Sequence, residues 1–168
     1  MLSRYKVQVA ALFRRYPRLG VWGQRLYRLG QARYSVGAVG VVFDEGGRIL
    51  LLQHVFHPRH PWGLPGGWVG RNERPADTVV REVREETGLL VRVVAPVWAD
   101  VSVYPDHLDL AYLCRLEGGA LRLSSEILDY RWHDPLALPE VFDFQRKAIE
   151  QAVRLWEADD ERHRVGDQ

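Results

Sequence analysis

The stretch PGGWVGRNERPADTVVREVREETGL, from Pro65 to Leu89, restricts the fold and the chemistry of this 168-residue chain more than any other. A helix is predicted from Pro75, which suits a first helical turn, to Gly88, which suits the position after the last turn. At about 100° per residue, one side of this helix is apolar and the adjoining side is acidic. The apolar side contains Ala76, Val79, Val80, Val83 and Thr87, and the acidic side contains Glu82, Glu85 and Glu86.

The crowded acids allow two interpretations. They can form a solvated helix face, with an i, i+4 pair between Arg81 and Glu85 worth about 0.2–0.5 kcal/mol. Alternatively they bind a cation, because two unit charges about 4 Å apart repel by roughly 4 kcal/mol at an effective dielectric of 20. Mg²⁺ prefers oxygen ligands and suits a few carboxylates together with substrate phosphates, whereas zinc usually takes His or Cys. The glycines of GLPGGWVGRNE, whose backbone can approach a metal or phosphate closely, favour the cation site.

The rest of the chain predicts a mixed α/β domain behind a helical extension. An amphipathic helix is expected over residues 2–16, ended by Pro17, followed by the apolar and basic segment VWGQRLYRLGQAR. YSVGAVGVVFD and RILLLQH predict a β-hairpin, and HPRHPWGLPGG predicts an irregular loop. Strands are expected in LVRVVAPVWADVSVY, HLDLAYLCRLE and ILDYRWHD, and a closing amphipathic helix in VFDFQRKAIEQAVRLWEA.

The helix and the glycine segment together resemble a known motif. Gly67, Glu73, Arg81, Glu82, Val83, Glu85, Glu86, Gly88 and Leu89 resemble the Nudix box at every specified position. The resemblance implies the Nudix fold, an α/β/α sandwich with a mixed central sheet. The domain prediction is a basic helical extension over residues 1–33 packed on the body, a Nudix domain over 34–157 and a polar tail over 158–168.

The resemblance also implies a chemistry. Nudix enzymes hydrolyse a nucleoside diphosphate linked to another moiety, with Mg²⁺ or Mn²⁺ and an activated water. Carried onto this chain, it makes metal ligands of Glu82, Glu85, Glu86 and the Gly66 carbonyl. Glu73 and Arg81 are expected to brace the loop and the helix through charge-assisted hydrogen bonds. The general base stays open between Glu82 or Glu85 in the box and Glu126 in SSEILDYRW.

Candidate substrate-binding residues lie outside the box. His57 and Arg59 are placed to contact phosphate from the loop, and Trp62, Trp98 and Tyr104 offer flat faces to a base, with core packing as the alternative for each aromatic. A metal site built from His54, His57 and His60 is not expected, because Pro58 prevents the helix that would align them.

Charge and composition bear on location and partners. Eight of the 23 basic residues precede residue 34, and no acid does. Packing on the body or on a homodimer partner is the first interpretation of this extension, ahead of attraction of polyphosphates and of attachment to RNA or an anionic membrane. The single cysteine, Cys114, is expected to be a buried thiol in a reducing compartment, and a cytoplasmic location follows.

The leading hypothesis is therefore a Mg²⁺-dependent pyrophosphohydrolase. Its candidate substrates are nucleotide sugars or ADP-ribose, and nucleoside triphosphates. Two alternatives remain: a sensor that binds nucleotide metabolites without turnover, and a pyrophosphohydrolase of RNA 5′ ends, whose activity would depend strongly on salt.

Overall fold

The computed structural model describes residues 2–56, 61–102 and 106–166. The chain divides into two compact units, residues 1–33 and residues 34–168. The first unit contains helices α1 (Leu2–Arg15) and α2 (Pro17–Leu29). Pro17 ends one helix and begins the next, because a proline lacks the amide hydrogen that a helix interior needs but a first turn does not. That the first unit packs on the second stays a prediction.

The second unit alternates strands and helices in the order that the sequence predicts. Its described elements are β1 (Ser35–Phe43), β2 (Ile49–His54), β3 (Trp62–Gly63), β4 (Gly66–Trp68), α3 (Pro75–Thr87), β5 (Leu89–Ser102), β6 (His107–Gly119), β7 (Ile127–His133) and α4 (Asp143–Gly166). The strands form one sheet with the order β3-β2-β1-β6-β5, in which β4 also pairs with β1 and β7 with β2. Strand β1 runs antiparallel to β2 and parallel to β6, so the sheet is mixed, as predicted.

The two helices of this unit cover opposite faces of the sheet. Val41 of β1 belongs to a buried cluster with Ile149 of α4. Its neighbour Val42 belongs to a second cluster, with Val79 and Val83 of α3. Successive side chains of a strand point to opposite faces, so the apolar run of β1 supplies both clusters. The α/β/α sandwich is confirmed.

Four local predictions have informative outcomes. The HPRHPWGLPGG segment was expected to lack regular structure, but its described part contains β3 and the start of β4, because short pairings with β2 and β1 satisfy the backbone there. Val80, placed on the packed side of α3, is 37% exposed. The polar tail predicted from residue 158 is helical as far as Gly166. Cys114 is buried, as predicted, and burial raises the pKa of its thiol to about 12.

Candidate active site

Helix α3 ends in a conformation that positions both its own acids and the segment before β7. Gly88 adopts φ of 73°, and its amide donates to the Arg84 carbonyl at 2.9 Å. This is the left-handed cap that favours glycine. The amides of Arg122 and Ser124 donate to the carbonyls of Thr87 and Glu86 at 2.7 and 2.9 Å. The chain leading to Glu126 is thus held against the carboxyl end of the acidic helix.

Arg81 is the cation at the centre of the acidic cluster. Its guanidinium bonds two oxygens of Glu73, at 2.8 and 3.1 Å, and reaches Glu82 at 2.7 Å and Glu85 at 3.2 Å. A fifth contact, from Arg81 Nη2 to the Trp68 carbonyl at 3.3 Å, joins the helix to β4. A planar guanidinium can bind several carboxylate oxygens at fixed angles, so it orients these acids as well as offsetting their charge.

Glu73 is fixed from both sides. Besides the Arg81 pair, it accepts a hydrogen bond from the Gly70 amide at 2.8 Å. The hydrogen bond from Arg81, supported by the one from Gly70, lowers the pKa of Glu73 to about 2. The same pairing with Glu73 and Glu82 raises the pKa of Arg81 further above its usual value. These contacts are those expected of residues that brace the loop and the helix.

Glu86 differs from the other two box acids because it is buried. Its residue is 8% exposed, and one carboxylate oxygen accepts a hydrogen bond from the Gly66 amide at 3.0 Å. Burial, helped by repulsion from Glu82, Glu126 and Glu85, raises the pKa of Glu86 to about 8 against the opposing effect of the Gly66 bond. Glu82, Glu85 and Glu126 therefore each act on Glu86 through their charge.

The glycines before the helix make room for these carboxylates. A side chain at Gly66 would collide with the Ala38 carbonyl, and one at Gly67 would collide with the Glu82 carboxylate. Both glycines belong to β4, which pairs with β1 through Val39 and Ala38. The pairing with β1 thus holds the backbone of Gly66 and Gly67 directly against the acidic side of α3, where only glycine fits.

A cavity of about 1050 Å³ opens over this acidic side. The predicted residues that line it are Gly66, Arg81, Glu82, Glu85, Glu86 and Glu126. The box and the segment before β7, which are separated by some forty residues, therefore share one cavity. A chamber of this size exceeds the roughly 300–1,000 Å³ of common ligand pockets.

The donor set fits a hard divalent cation. Carboxylate and carbonyl oxygens are the ligands that such ions prefer, and the repulsion that raises the pKa of Glu86 is the repulsion that a cation relieves. In the part of the chain that the structure describes, however, no three acidic, His or Cys side chains are already gathered around a common metal position. Arg81 accounts for this arrangement, because it holds Glu82 and Glu85 by direct contacts.

The substrate-binding candidates fare differently. His57, Arg59 and Tyr104 lie outside the described residues. Trp62 contacts the edge of the His133 ring, with centroids 5.7 Å apart, and the Arg131 guanidinium lies 5.1 Å from its ring. Trp62 also packs against the α4-side core cluster. It is not among the described residues that line the cavity.

Several cavity residues carry no clear signal in the sequence. Trp68, His107, Asp109 and Gln145 line the cavity, and no role was assigned to any of them from the sequence. His107 contacts the Ser35 hydroxyl at 2.7 Å and Asp109 at 3.1 Å. His107 and Asp109 lie two positions apart in the predicted strand HLDLAYLCRLE, so their side chains are expected on one face of the sheet. This spacing is the one local signal for them. Gln145 accepts a hydrogen bond from the Leu64 amide at 3.1 Å, a contact across 81 residues that no local pattern predicts.

The chain is similar to known proteins over most of its length. A family model described as the NUDIX domain matches residues 33–152. The chain belongs to the Nudix family. A MutT-like protein of Streptomyces ambofaciens is 35% identical over 125 residues, which are 74% of this chain and 77% of that protein. The predicted family, fold and reaction class are thereby confirmed.

A solved Nudix relative supports the fold independently. The crystal structure of an ADP-ribose pyrophosphatase from Streptococcus suis superposes with a TM-score of 0.60 at 29% identity, covering 76% of this chain and 92% of that one. An ADP-ribose pyrophosphatase of Methanocaldococcus jannaschii is 27% identical over 124 residues, 70% of this chain and 72% of that protein. Nudix hydrolases act on small nucleotide substrates and generally use divalent metals.

Other relatives are longer than this chain. The NAD-capped RNA hydrolase NudC of Vibrio atlanticus is 33% identical over 102 residues, which are 60% of this chain but 38% of that protein. The likeness therefore concerns the Nudix domain, and the remainder of that protein has no counterpart in the match.

Proposed function

We propose that this Nudix hydrolase is a Mg²⁺-dependent pyrophosphohydrolase of the ADP-ribose or nucleotide-sugar class. The single observation that carries the proposal is the buried Glu86, which shares the wall of one cavity with Glu82, Glu85 and Glu126. Four carboxylates turned toward a cavity would repel an anionic substrate unless a cation lies between them. Mn²⁺ has the same preference for oxygen ligands and is the second candidate.

We assign the metal ligands as predicted. Glu82, Glu85 and Glu86 would hold the ion, with the carbonyl of Gly66 beside them. A divalent ion held there would screen the diphosphate and would make a water more acidic. Glu73 and Arg81 act as positioning residues, because their paired contacts hold the glycine loop against α3.

Glu126 is our candidate for the group that takes the proton from the attacking water. It lies on the wall of the cavity that Glu86 also lines, and its charge helps to raise the pKa of Glu86. Its backbone is held by hydrogen bonds, since the Glu126 carbonyl accepts from the Val55 amide at 3.0 Å. Glu82 and Glu85 are the alternatives, but Arg81 bonds both of them.

Two observations favour the proposed substrate class. Two of the relatives described above are named ADP-ribose pyrophosphatases, and one of them aligns with most of both chains. The cavity, at about 1050 Å³, has room for a nucleoside diphosphate and a second moiety together. Nucleoside triphosphates are the competing substrate class.

The test is a Mg²⁺-supplemented panel of ADP-ribose, nucleotide sugars and nucleoside triphosphates, with products identified by mass spectrometry. We expect cleavage within the diphosphate, giving a nucleoside monophosphate and a phosphorylated second moiety. Glu85→Gln and Glu86→Gln should abolish most turnover while α3 stays folded. Glu117→Gln, an exposed acid on β6, is the matched control. Normal rates in both box variants would refute the metal-ligand assignment.

One further activity has a specific observation in its favour. The likeness to NudC proteins raises hydrolysis at RNA 5′ ends as a second candidate function. It predicts cleavage of the anhydride at the RNA 5′ end, which releases the cap nucleotide from capped RNA or pyrophosphate from triphosphorylated RNA, with a marked salt dependence. The sensor alternative predicts tight nucleotide binding without Mg²⁺-dependent turnover. A homodimer and a cytoplasmic location stay predictions.

A further inference from the structure

The first unit of the chain is unusually basic. Its cations are Arg4, Lys6, Arg14, Arg15, Arg18, Arg25, Arg28 and Arg33. No acidic residue occurs before Asp44, so no carboxylate of this unit offsets them. Seven of these cations lie on the two short helices and Arg33 follows them; the like charges repel one another, and an anionic surface relieves that repulsion.

Helix α2 combines these cations with an apolar face. Trp22, Leu26 and Leu29 follow one another at spacings of four and three, which places them on one side of the helix. Their exposed fractions are 61%, 66% and 69%. Arg18, Arg25 and Arg28 lie on the adjoining side at spacings of seven and three, and the Arg25 guanidinium sits 5.8 Å from the Trp22 ring. The apolar and basic surfaces are therefore contiguous.

The partner helix repeats the pattern within the same unit. Leu12 and Phe13 of α1, and Tyr16 directly after its end, are each close to half exposed. Phe13 lies where a side chain at Gly20 would contact it, so the two helices meet near their junction. Two helices of 14 and 13 residues are too short to bury these apolar faces against each other.

We propose that the first unit binds the surface of a membrane that contains anionic lipid. The apolar side chains of α2 would enter the boundary between headgroups and acyl chains, and the adjoining arginines would contact lipid phosphates. Trp and Tyr suit this depth, because each ring has an apolar body and a polar edge. Among the described helices none is long and apolar enough to span a bilayer. The helices would lie in the plane of the interface.

An RNA partner accounts for only half of these observations. Arginines alone suffice for a phosphate backbone, and aromatic rings can stack on bases. Leu26 and Leu29 would gain nothing from such a ligand, because neither side chain stacks or donates a hydrogen bond. A lipid surface engages the leucines, the aromatic rings and the arginines at once.

The test uses the full chain and sedimentation with vesicles. The probes are phosphatidylcholine vesicles with and without phosphatidylglycerol. We expect binding to the vesicles that contain phosphatidylglycerol, weak binding to the neutral ones, and a loss of binding as salt rises. Absence of binding to the anionic vesicles would overturn the proposal and would favour packing of this unit elsewhere.

Two comparisons, each of a test variant with its control, separate the contribution of the charges from that of the apolar face. The first comparison addresses the arginines. Arg25→Gln with Arg28→Gln should lower the partition coefficient about thirtyfold, since each cation near an anionic surface contributes roughly fivefold. Arg122→Gln with Arg154→Gln, on the exposed surface of the second unit, removes the same charge and should change it little. An equal loss of vesicle binding in the two double variants would show that only the net charge of the chain matters. That result would overturn the proposed surface.

The second comparison addresses the leucines. Leu26→Gln should weaken vesicle binding at least tenfold, because a buried Leu contributes about 1.5–3 kcal/mol. Leu136→Gln changes an apolar residue that is 95% exposed in the second unit and is the control. Nucleotide turnover serves as the folding check for every variant. Unchanged vesicle binding in Leu26→Gln, or RNA binding that loses affinity only with the arginines, would assign the surface to RNA and refute the membrane.

Discussion

The buried carboxyl of Glu86 predicts that metal binding releases a proton. The perturbation is a titration of the metal-free protein with Mg²⁺ or Mn²⁺ at pH 7. With a pKa of about 8, roughly nine in ten Glu86 carboxyls are protonated at this pH. A ligand carboxylate must be ionised, so binding should release close to one proton per site. At pH 7, one unit below that pKa, removing the proton costs about 1 kcal/mol, which the bound ion must offset.

The assay is calorimetric titration in buffers of different ionisation enthalpy, whose slope gives the number of protons released. Glu86→Gln should bind metal more weakly and release almost none, whereas Glu85→Gln keeps the buried carboxyl and should still release its proton. Below pH 8 the apparent metal affinity of the wild type should rise by about tenfold per pH unit and then level off. A proton count near zero in the wild type, or an equal count in Glu86→Gln, would refute the reasoning.

Other expectations concern stability and fit. The metal-free protein should lose stability as pH rises from 4.5 towards 8, because the folded state keeps a Glu86 proton that the unfolded state releases, and Glu86→Gln should remove that slope in thermal melts. The Glu73 contribution runs the other way: with a folded pKa of about 2, the difference in melting temperature between wild type and Glu73→Gln should be complete above pH 4.5 and vanish towards pH 2. Gly67→Ala should cost at least tenfold in kcat/KM with an unchanged circular-dichroism spectrum, because the new methyl group meets the Glu82 carboxylate. Leu51→Ala, fully buried, should lower the unfolding free energy by about 2–5 kcal/mol in urea denaturation, against less than about 0.5 kcal/mol for Leu136→Ala.

Local patterns were sufficient for most of the fold. The boundaries of α3 follow from Pro75 and Gly88, whose backbone preferences act within a single turn. The β1–β2 hairpin follows from two apolar runs around a glycine turn, and Phe43 pairs with Ile49 as such a turn requires. The prediction that HPRHPWGLPGG lacks regular structure was wrong. Its short strands depend on pairing with β2 and β1 rather than on local propensity.

The candidate site was predictable where its residues share one helix. Glu82, Glu85 and Glu86 are grouped by helical geometry alone, but the burial that separates Glu86 from the other two depends on its contact with Gly66. The lining by His107, Asp109 and Gln145 depends on pairing and packing between distant elements, which a single sequence does not reveal. The role of the basic extension was equally beyond local reasoning, because charge alone does not distinguish a protein, nucleic-acid or lipid partner.

Strand β4 ties the glycines of the box to β1, the strand that also holds β2 and β6. The part of the cavity that the box lines is therefore anchored to the middle of the sheet. Ser102, His107 and residues 142–145 line the same cavity from strand ends and the start of α4. Substitutions there would leave the pairing of β4 with β1 intact, so this part of the lining could vary while the glycines and carboxylates of the box keep their positions.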